Sequence, residues 1–496
     1  MPPFTPPSSP SVNESIDDEV LEEDIVEVID LDESDDGDDT NLDDLEADQM
    51  SFDDETEGLN LQAAEGGSLQ TKIVEVNSDV VFSRHEKSVF TCDISPNIDI
   101  PLAVSGGEDD RAFIWDWRTG KFISELGTSQ EASPSNFKDS VVFVRFNKDG
   151  SLVAAADMSG IVKVWRIPKL SRLSTDGIST DCQWTNNIKT EPLWTFETSD
   201  ISWLCWHIGA QNVLFAGTEA SELWMWKVPS GDSKVYMGRG EKVETAIIMP
   251  DGKRISVAYG DGTIKIFDLK SGEVLSNFTH YDKIPNAPDT ETSTLSMPVS
   301  TLDVSGGHVL ASGGVNGVVK MYNTQTGKAI GTLVCSASNS KEVEENGMPK
   351  TTTVEAVLFS NVDQNIVVTG TLDGIVTIWD VSSQVSRHSV NVGEGVVKML
   401  WRNGKKADTS TSTQPNGSTI TTSSSQIFVA TLDGIIKILD IRSGEILGEC
   451  SGHTAGILDI SQSTDGKTIV SCSDDGDCRV FDVEKVLDIM ESDDKE

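Results

Sequence analysis

The chain is 496 residues long and carries 81 Asp and Glu against 38 Lys and Arg, a formal net charge of −43. Such a surface repels phosphate backbones, which argues against direct nucleic-acid binding and favours cationic proteins as partners. It has no apolar window of about 18 residues, so no membrane span is expected, and its seven cysteines lack paired spacing, which suits a reducing compartment better than a disulfide framework.

The start, MPPFTPPSSP, has neither the basic nor the apolar region of a secretory signal, so an intracellular chain is expected. Residues 1–71 hold 24 acids and no Lys or Arg, leaving 57 acids against 38 bases for the remainder. The stretch EEDIVEVIDLDESDDGDD (22–39) is too charged and too poor in aromatics to bury a core. Residues 1–71 therefore read as a disordered acidic tail, either a solubilising segment or a flexible anionic lure for a basic partner. Within it the apolar run Ile25, Val26, Val28, Ile29 and Leu31 is flanked by acids. Such a run can add a strand to an open sheet edge, and it resembles a SUMO-interacting motif.

From residue 72 onward one pattern recurs eight times. It is plainest in TLDGIVTIWD (371–380) and TLDGIIKILD (431–440). The other copies are GGEDDRAFIWD (106–116), DMSGIVKVW (157–165), TEASELWMW (218–226), YGDGTIKIFD (259–268), GGVNGVVKMYN (313–323) and SDDGDCRVFD (473–482). Asp-Gly and Asn-Gly favour tight hairpin turns because these residues tolerate positive φ. The residues after each turn alternate between two faces, as in Thr263-Ile264-Lys265-Ile266-Phe267-Asp268, which is strand periodicity. Another apolar strand lies upstream of each turn, and Ser-Gly or Thr-Gly pairs often mark the next one, so the unit is an antiparallel meander of about four strands. The aromatic or aliphatic anchors of successive copies are 50, 61, 41, 55, 57, 60 and 42 residues apart. The shortest spacings match a propeller blade of about 40–45 residues, and the longer ones contain insertions at 127–137, 171–193, 281–297, 336–352 and 404–425.

These units resemble the WD40-repeat family, which implies an all-β, eight-bladed β-propeller. His85, Ser105, Asp109 and Trp115 stand at the family's buried hydrogen-bonding positions, as do His453, Ser471 and Asp475, with Phe481 in place of the Trp. The strand-like stretch Asp79–Ser83 is free to complete the last blade, which would remove two sheet edges. The expected organisation is a tail at 1–71, a propeller at 72–486 with a disordered Ser/Thr-rich insertion at 404–425 on the bottom face, and a short acidic tail at 487–496.

Catalytic patterns are missing. The chain has no GxxxxGK[ST] loop, no HExxH helix and no GxSxG elbow. His85 and His453 are read as blade hydrogen-bonding groups, and Cys472 and Cys478 as small core residues with no second pair to make a zinc site. No enzyme, cofactor or metal is expected. Trp203, Trp206, Trp224 and Trp226 read mainly as core, whereas Trp184, in an insertion, could anchor a partner.

A propeller binds partners across its top face, built from the loops entering each first strand and the turns carrying the Asp-Gly pairs. Those positions hold Glu108, Asp110, Asp139, Asp200, Glu219, Glu244, Glu355, Glu394 and Asp474, with Arg111 and Lys138 as exceptions. Some of these acids can simply cap turns or face solvent. Carboxylates gathered at one mouth would attract a Lys/Arg-rich segment through charge-assisted pairing that weakens with salt.

The phrases GGEDDRAFIWDW, LWMWKVPSGD, MPDGKRISVAYGDGTIKIFDLKSG and GHTAGILD, with EDIVEVIDLD in the tail, resemble the family of angio-associated migratory cell proteins. In fungi the corresponding WD-repeat protein is a dedicated chaperone in large ribosomal subunit assembly. It holds the basic N-terminal segment of a new ribosomal protein on its acidic top face. Animal members are associated with cell migration and angiogenesis. The resemblance implies a basic ribosomal protein as partner. A cytoplasmic location is expected, with nuclear access open, and a monomer, since a closed propeller has no need to oligomerise. A signalling or cytoskeletal scaffold is the rival, and a ubiquitin-ligase substrate receptor rests on fold alone.

Overall fold

The computed structural model describes residues 76–97, 100–127, 137–168, 188–280, 298–306, 308–335, 352–361, 363–403 and 425–493. Residues 1–71, the run Ile25–Leu31, Trp184 and the insertion residues 404–424 lie outside that set.

The described residues form eight four-stranded antiparallel sheets. In blade 1 the strands run Val89–Ile94, Leu102–Gly107, Ala112–Asp116 and Lys121–Glu125, from the innermost (strand a) to the outermost (strand d). Blades 2 to 7 repeat this order, with strands a at Val141–Phe146, Ile201–Trp206, Val243–Ile248, Val299–Val304, Val354–Phe359 and Val396–Trp401. The two near-copies of the turn supply blades 6 and 7. Blade 8 takes three strands from the C-terminal end, Ile457–Gln462, Thr468–Ser473 and Cys478–Asp482. Its fourth is Val80–Phe82, with Val80 opposite Val480 and Phe82 opposite Cys478. The closure expected from Asp79–Ser83 is thus made, and Val80–Phe82 covers the outer edge that Cys478–Asp482 would otherwise leave open.

Strand b is buried along its whole length in blade 1, because the sheet packs a neighbour on each face. Core clusters lie between blades, each joining one blade to the next. One runs from Leu102 and Ile114 of blade 1 to Val141 and Trp165 of blade 2, and another links Phe82 and Val480 of blade 8 to Val89 and Trp115 of blade 1. In blades 1, 3, 5 and 6 the next-to-last residue of strand b is glycine, where the next strand a approaches closely. A side-chain carbon on Gly106 would lie 2.6 Å from Val141 Cγ1, and one on Gly370 would lie 2.7 Å from Val396 Cγ1. The tryptophans follow the same logic. Trp206 and Trp226 are buried in the cluster between blades 2 and 3, and Trp203 and Trp224 are half-buried against core clusters.

The chain after blade 8 departs from expectation. In place of a tail from 487, a helix runs from Val483 to Asp493. Val486 and Leu487 pack it against the cluster between blades 7 and 8, so its apolar face replaces solvent over that part of the rim.

Candidate protein-binding face

The turn-bearing end of the ring is braced by buried side-chain chains. His85 bridges Asp109, at 3.0 Å from Nδ1, and Ser105, at 2.9 Å from Nε2. His453 does the same with Asp475 at 2.9 Å and Ser471 at 2.8 Å. Burial would raise Asp109, but the His85 hydrogen bond and charge outweigh it and hold its carboxyl below the ordinary aspartate range. Trp115 does not join its set. Its indole stacks on Phe82 with centroids 4.7 Å apart, and its Nε1 has no hydrogen-bond partner among the described residues. Two further braces were not singled out from sequence. His280 reaches Ser312 at 2.8 Å in blade 5, and Cys335, Thr369 and Trp379 form a relay in blade 6 with Trp379 Nε1 donating to Thr369 Oγ1 at 2.9 Å. The insertion 281–297 separates His280 from its strand, which hid the match to His85, and blade 6 has Cys where His would be sought.

A repeated backbone bond fixes equivalent top-face positions in all eight blades. The first turn residue after strand b donates its N–H to the carbonyl of the loop entering strand a, as Glu108 to Ser88 and Glu219 to Asp200 at 2.9 Å, and Asp474 to Gly456 at 3.1 Å. Met158, Val315, Leu372 and Leu432 occupy the same position in blades 2, 5, 6 and 7, and Gly260 does in blade 4. In every blade the register also shifts at the second residue of strand a, as between Val243 and Thr245 and between Val354 and Ala356. Glu244 and Glu355 are the bulged residues, a geometry that re-aims a side chain at the mouth of a barrel or ring.

The nine acids named from sequence therefore share one end of the propeller. Glu108, Glu219 and Asp474 hold the repeated turn position, and Asp110 lies two residues beyond Glu108. Asp139, Asp200 and Glu394 lie in loops entering strands a, and Glu244 and Glu355 sit at bulges. They are not spread evenly, since blade 5 contributes none.

The nearby bases do not neutralise this face. Arg111 is held by Glu125 through bonds of 3.0 and 2.8 Å, and Lys138 by Glu197 at 2.8 Å. Lys87 pairs with Glu108 at 3.5 Å and Lys242 with Glu244 at 3.2 Å. Asp110, Asp139, Asp200, Glu219, Glu355 and Glu394 form no ion pair with another described residue. Burial pushes the Glu355 carboxyl above the ordinary glutamate range, and burial followed by repulsion from Asp139 pushes Asp110 up. Both groups gain from a nearby cation. Asp110 also adopts φ 59° where Gly374 and Gly434 stand in blades 6 and 7, so an acid is held in a conformation that suits glycine.

Inside the channel, Asp459 of blade 8 accepts from Lys398 of blade 7 at 2.5 Å, Arg145 of blade 2 at 3.2 Å and Thr91 of blade 1 at 3.1 Å. This network ties together the blades on both sides of the closing blade. No group of three or more His, Cys, Asp or Glu among the described residues is arranged to hold a metal ion. No described helix is long and apolar enough to cross a membrane.

Residues 77–116, 131–166 and 444–482 match the family model of the WD domain, G-beta repeat, and residues 213–287 match that of the anaphase-promoting complex subunit 4 WD40 domain. The chain is 32% identical over 479 residues to the angio-associated migratory cell protein of Canis lupus familiaris, with 94% of each chain covered. It is 32% identical over 478 residues to that of Homo sapiens, again with 94% of each covered. Among solved structures it is similar to Chaetomium thermophilum Sqt1 bound to the N-terminus of the ribosomal protein L10. That match is 19% identical with a TM-score of 0.64, covering 82% of this chain and 100% of the other. At this identity the likeness is one of fold.

Proposed function

The chain belongs to the family of angio-associated migratory cell proteins, and from that premise we propose that it is a non-enzymatic chaperone for a basic ribosomal protein. It captures a Lys/Arg-rich segment of its client on the acidic top face and holds it until the large ribosomal subunit takes it up. The observation that carries this proposal is the set of six acids at one end of the ring that have no ion-pair partner among the described residues. Burial of Glu355 adds to it, because a cation there relieves a carboxylate that the fold alone disfavours. A free arginine-rich segment would bind RNA and other polyanions indiscriminately, so covering it is a physical need. The solved complex of Sqt1 with the N-terminus of ribosomal protein L10 supplies a propeller of the same architecture with a ribosomal segment bound. We place this activity in the cytoplasm and assign it to a single copy of the chain.

Gentle purification of the tagged chain at low salt, with identification of what accompanies it, tests this. One dominant basic ribosomal protein, released by raising the salt, is the expected result, with the acids of the propeller sufficient when residues 1–71 are removed. A mixed set of signalling or cytoskeletal proteins with no ribosomal protein enriched would overturn it in favour of a scaffold.

A further inference from the structure

The top face is not uniformly acidic. At the turn position fixed by the repeated backbone bond, blades 8, 1 and 3 present Asp474, Glu108 and Glu219, whereas blades 5, 6 and 7 present Val315, Leu372 and Leu432. The two leucines are 48% and 43% exposed, well beyond what packing within a blade requires. They are also neighbours. Gly395, in the loop entering blade 7, lies between them, and a side-chain carbon there would sit 3.1 Å from Cδ1 of both. Gly395 is itself buried, so the two leucine tips close over it and form one exposed apolar patch across blades 6 and 7. Glu394, exposed and without an ion-pair partner among the described residues, immediately precedes Gly395 at the border of that patch, and its carbonyl lies against the Gly374 turn of blade 6. Glu355, half-buried at the bulge of blade 6, supplies a second carboxylate on the channel side.

An apolar patch bordered by uncompensated carboxylates matches one kind of occupant. We propose that the captured basic segment carries an apolar side chain among its arginines and lysines, and that this side chain packs against the exposed faces of Leu372 and Leu432. The inference rests on the chaperone function proposed above and deepens it. Charge brings the segment to the face and holds it there, while the apolar residue selects which basic segment stays and fixes its register. Charges alone discriminate poorly among basic tails, because every Lys/Arg-rich sequence meets the same field. A buried apolar group adds a contact that salt does not screen. The repeat explains how the patch arises, since the near-identical turns Thr371-Leu372-Asp373-Gly374 and Thr431-Leu432-Asp433-Gly434 place leucine at the same position in adjacent blades.

The test uses the full chain and short synthetic arginine-rich peptides of equal charge, in which a single leucine or a single serine is placed at each position in turn. Burying one leucine is worth roughly tenfold in affinity, so the leucine peptide with the right register should bind about ten times more tightly than its serine counterpart. Raising the salt should weaken both peptides and leave their ratio unchanged. Leu372→Ser/Leu432→Ser, which alters only exposed side chains, should abolish the preference while the serine peptide binds as before. Equal affinity for leucine and serine peptides at every position would overturn the inference and leave the chaperone function standing, as would a preference that survives the double substitution. Binding of neither peptide would overturn both. Sedimentation of the same samples distinguishes the remaining occupant, because self-association lost in the double variant would assign the patch to a second copy of the chain and refute the proposal.

Discussion

Replacing Asp459 by Asn removes the carboxylate that pairs with both Lys398 and Arg145 in the channel wall, leaving Asp93 as a further acid near them. The side chains of the three residues are 7%, 33% and 28% exposed. Burial alone would raise the Asp459 carboxyl, yet the two cations hold it below the ordinary aspartate range. Removing one partner of a buried ion pair costs about 3–5 kcal/mol, and partial exposure of both cations reduces this to roughly 2–3 kcal/mol. The asparagine can still accept from Thr91 and Cys92, so the loss isolates the charge. Equilibrium urea unfolding at neutral pH should therefore show a lower midpoint with an unchanged slope. The sign with pH follows from the lowered native pKa. The contribution is present above the unfolded aspartate value and is lost as pH falls through the native one, so wild type and variant should converge in acid. A loss below about 1 kcal/mol at neutral pH would refute the reasoning that this network clamps the closing blade between blades 7, 1 and 2.

Other substitutions follow from the same geometry. Asp303, whose carboxyl accepts from the Phe359 N–H at 2.6 Å, is pushed up to about 6 by burial, so the native state binds its proton more tightly than the unfolded chain does. Stability should fall as pH rises through that range, and Asp303→Asn should flatten the dependence in denaturation midpoints taken across it. Asp110→Gly relieves a non-glycine residue at φ 59°, so it should leave urea stability unchanged or raised by roughly 1 kcal/mol while weakening a basic peptide severalfold by titration. Glu355 has a raised carboxyl pKa through burial, so peptide affinity should climb with pH above the ordinary glutamate range, and Glu355→Gln should remove that part of the climb.

Much of the ring was legible because it repeats. Asp-Gly turns and alternating strands located eight blades, and the unassigned strand before His85 predicted which segment closes them, as the pairing of Val80 with Val480 shows. The bulge in strand a was not legible. Nothing in Val243-Glu244-Thr245 or Val354-Glu355-Ala356 marks a register shift, which arises from how the innermost strand meets strand b at the top of the ring. The His280 and Cys335 braces were missed because insertions and residue replacement break the local spacing that identified His85 and His453. The helix at Val483–Asp493 was missed because its acids suggested a solvated tail, whereas Val486 and Leu487 find a ready apolar surface on the rim. The acids of the top face could be named by repeat position. Which of them lack an ion pair among the described residues could not, since Arg111 is spent on Glu125 and Lys138 on Glu197, pairings set by the meander and not by sequence distance.

The most direct measurement is the affinity of the full chain for a short arginine-rich peptide at low salt, compared with Glu244→Lys/Glu355→Lys. Reversing two carboxylates at the channel mouth should reduce binding by roughly thirtyfold to a thousandfold, at about 1–2 kcal/mol per site, with the urea midpoint little changed. An unchanged affinity in the folded double variant would contradict capture of the basic segment on this face.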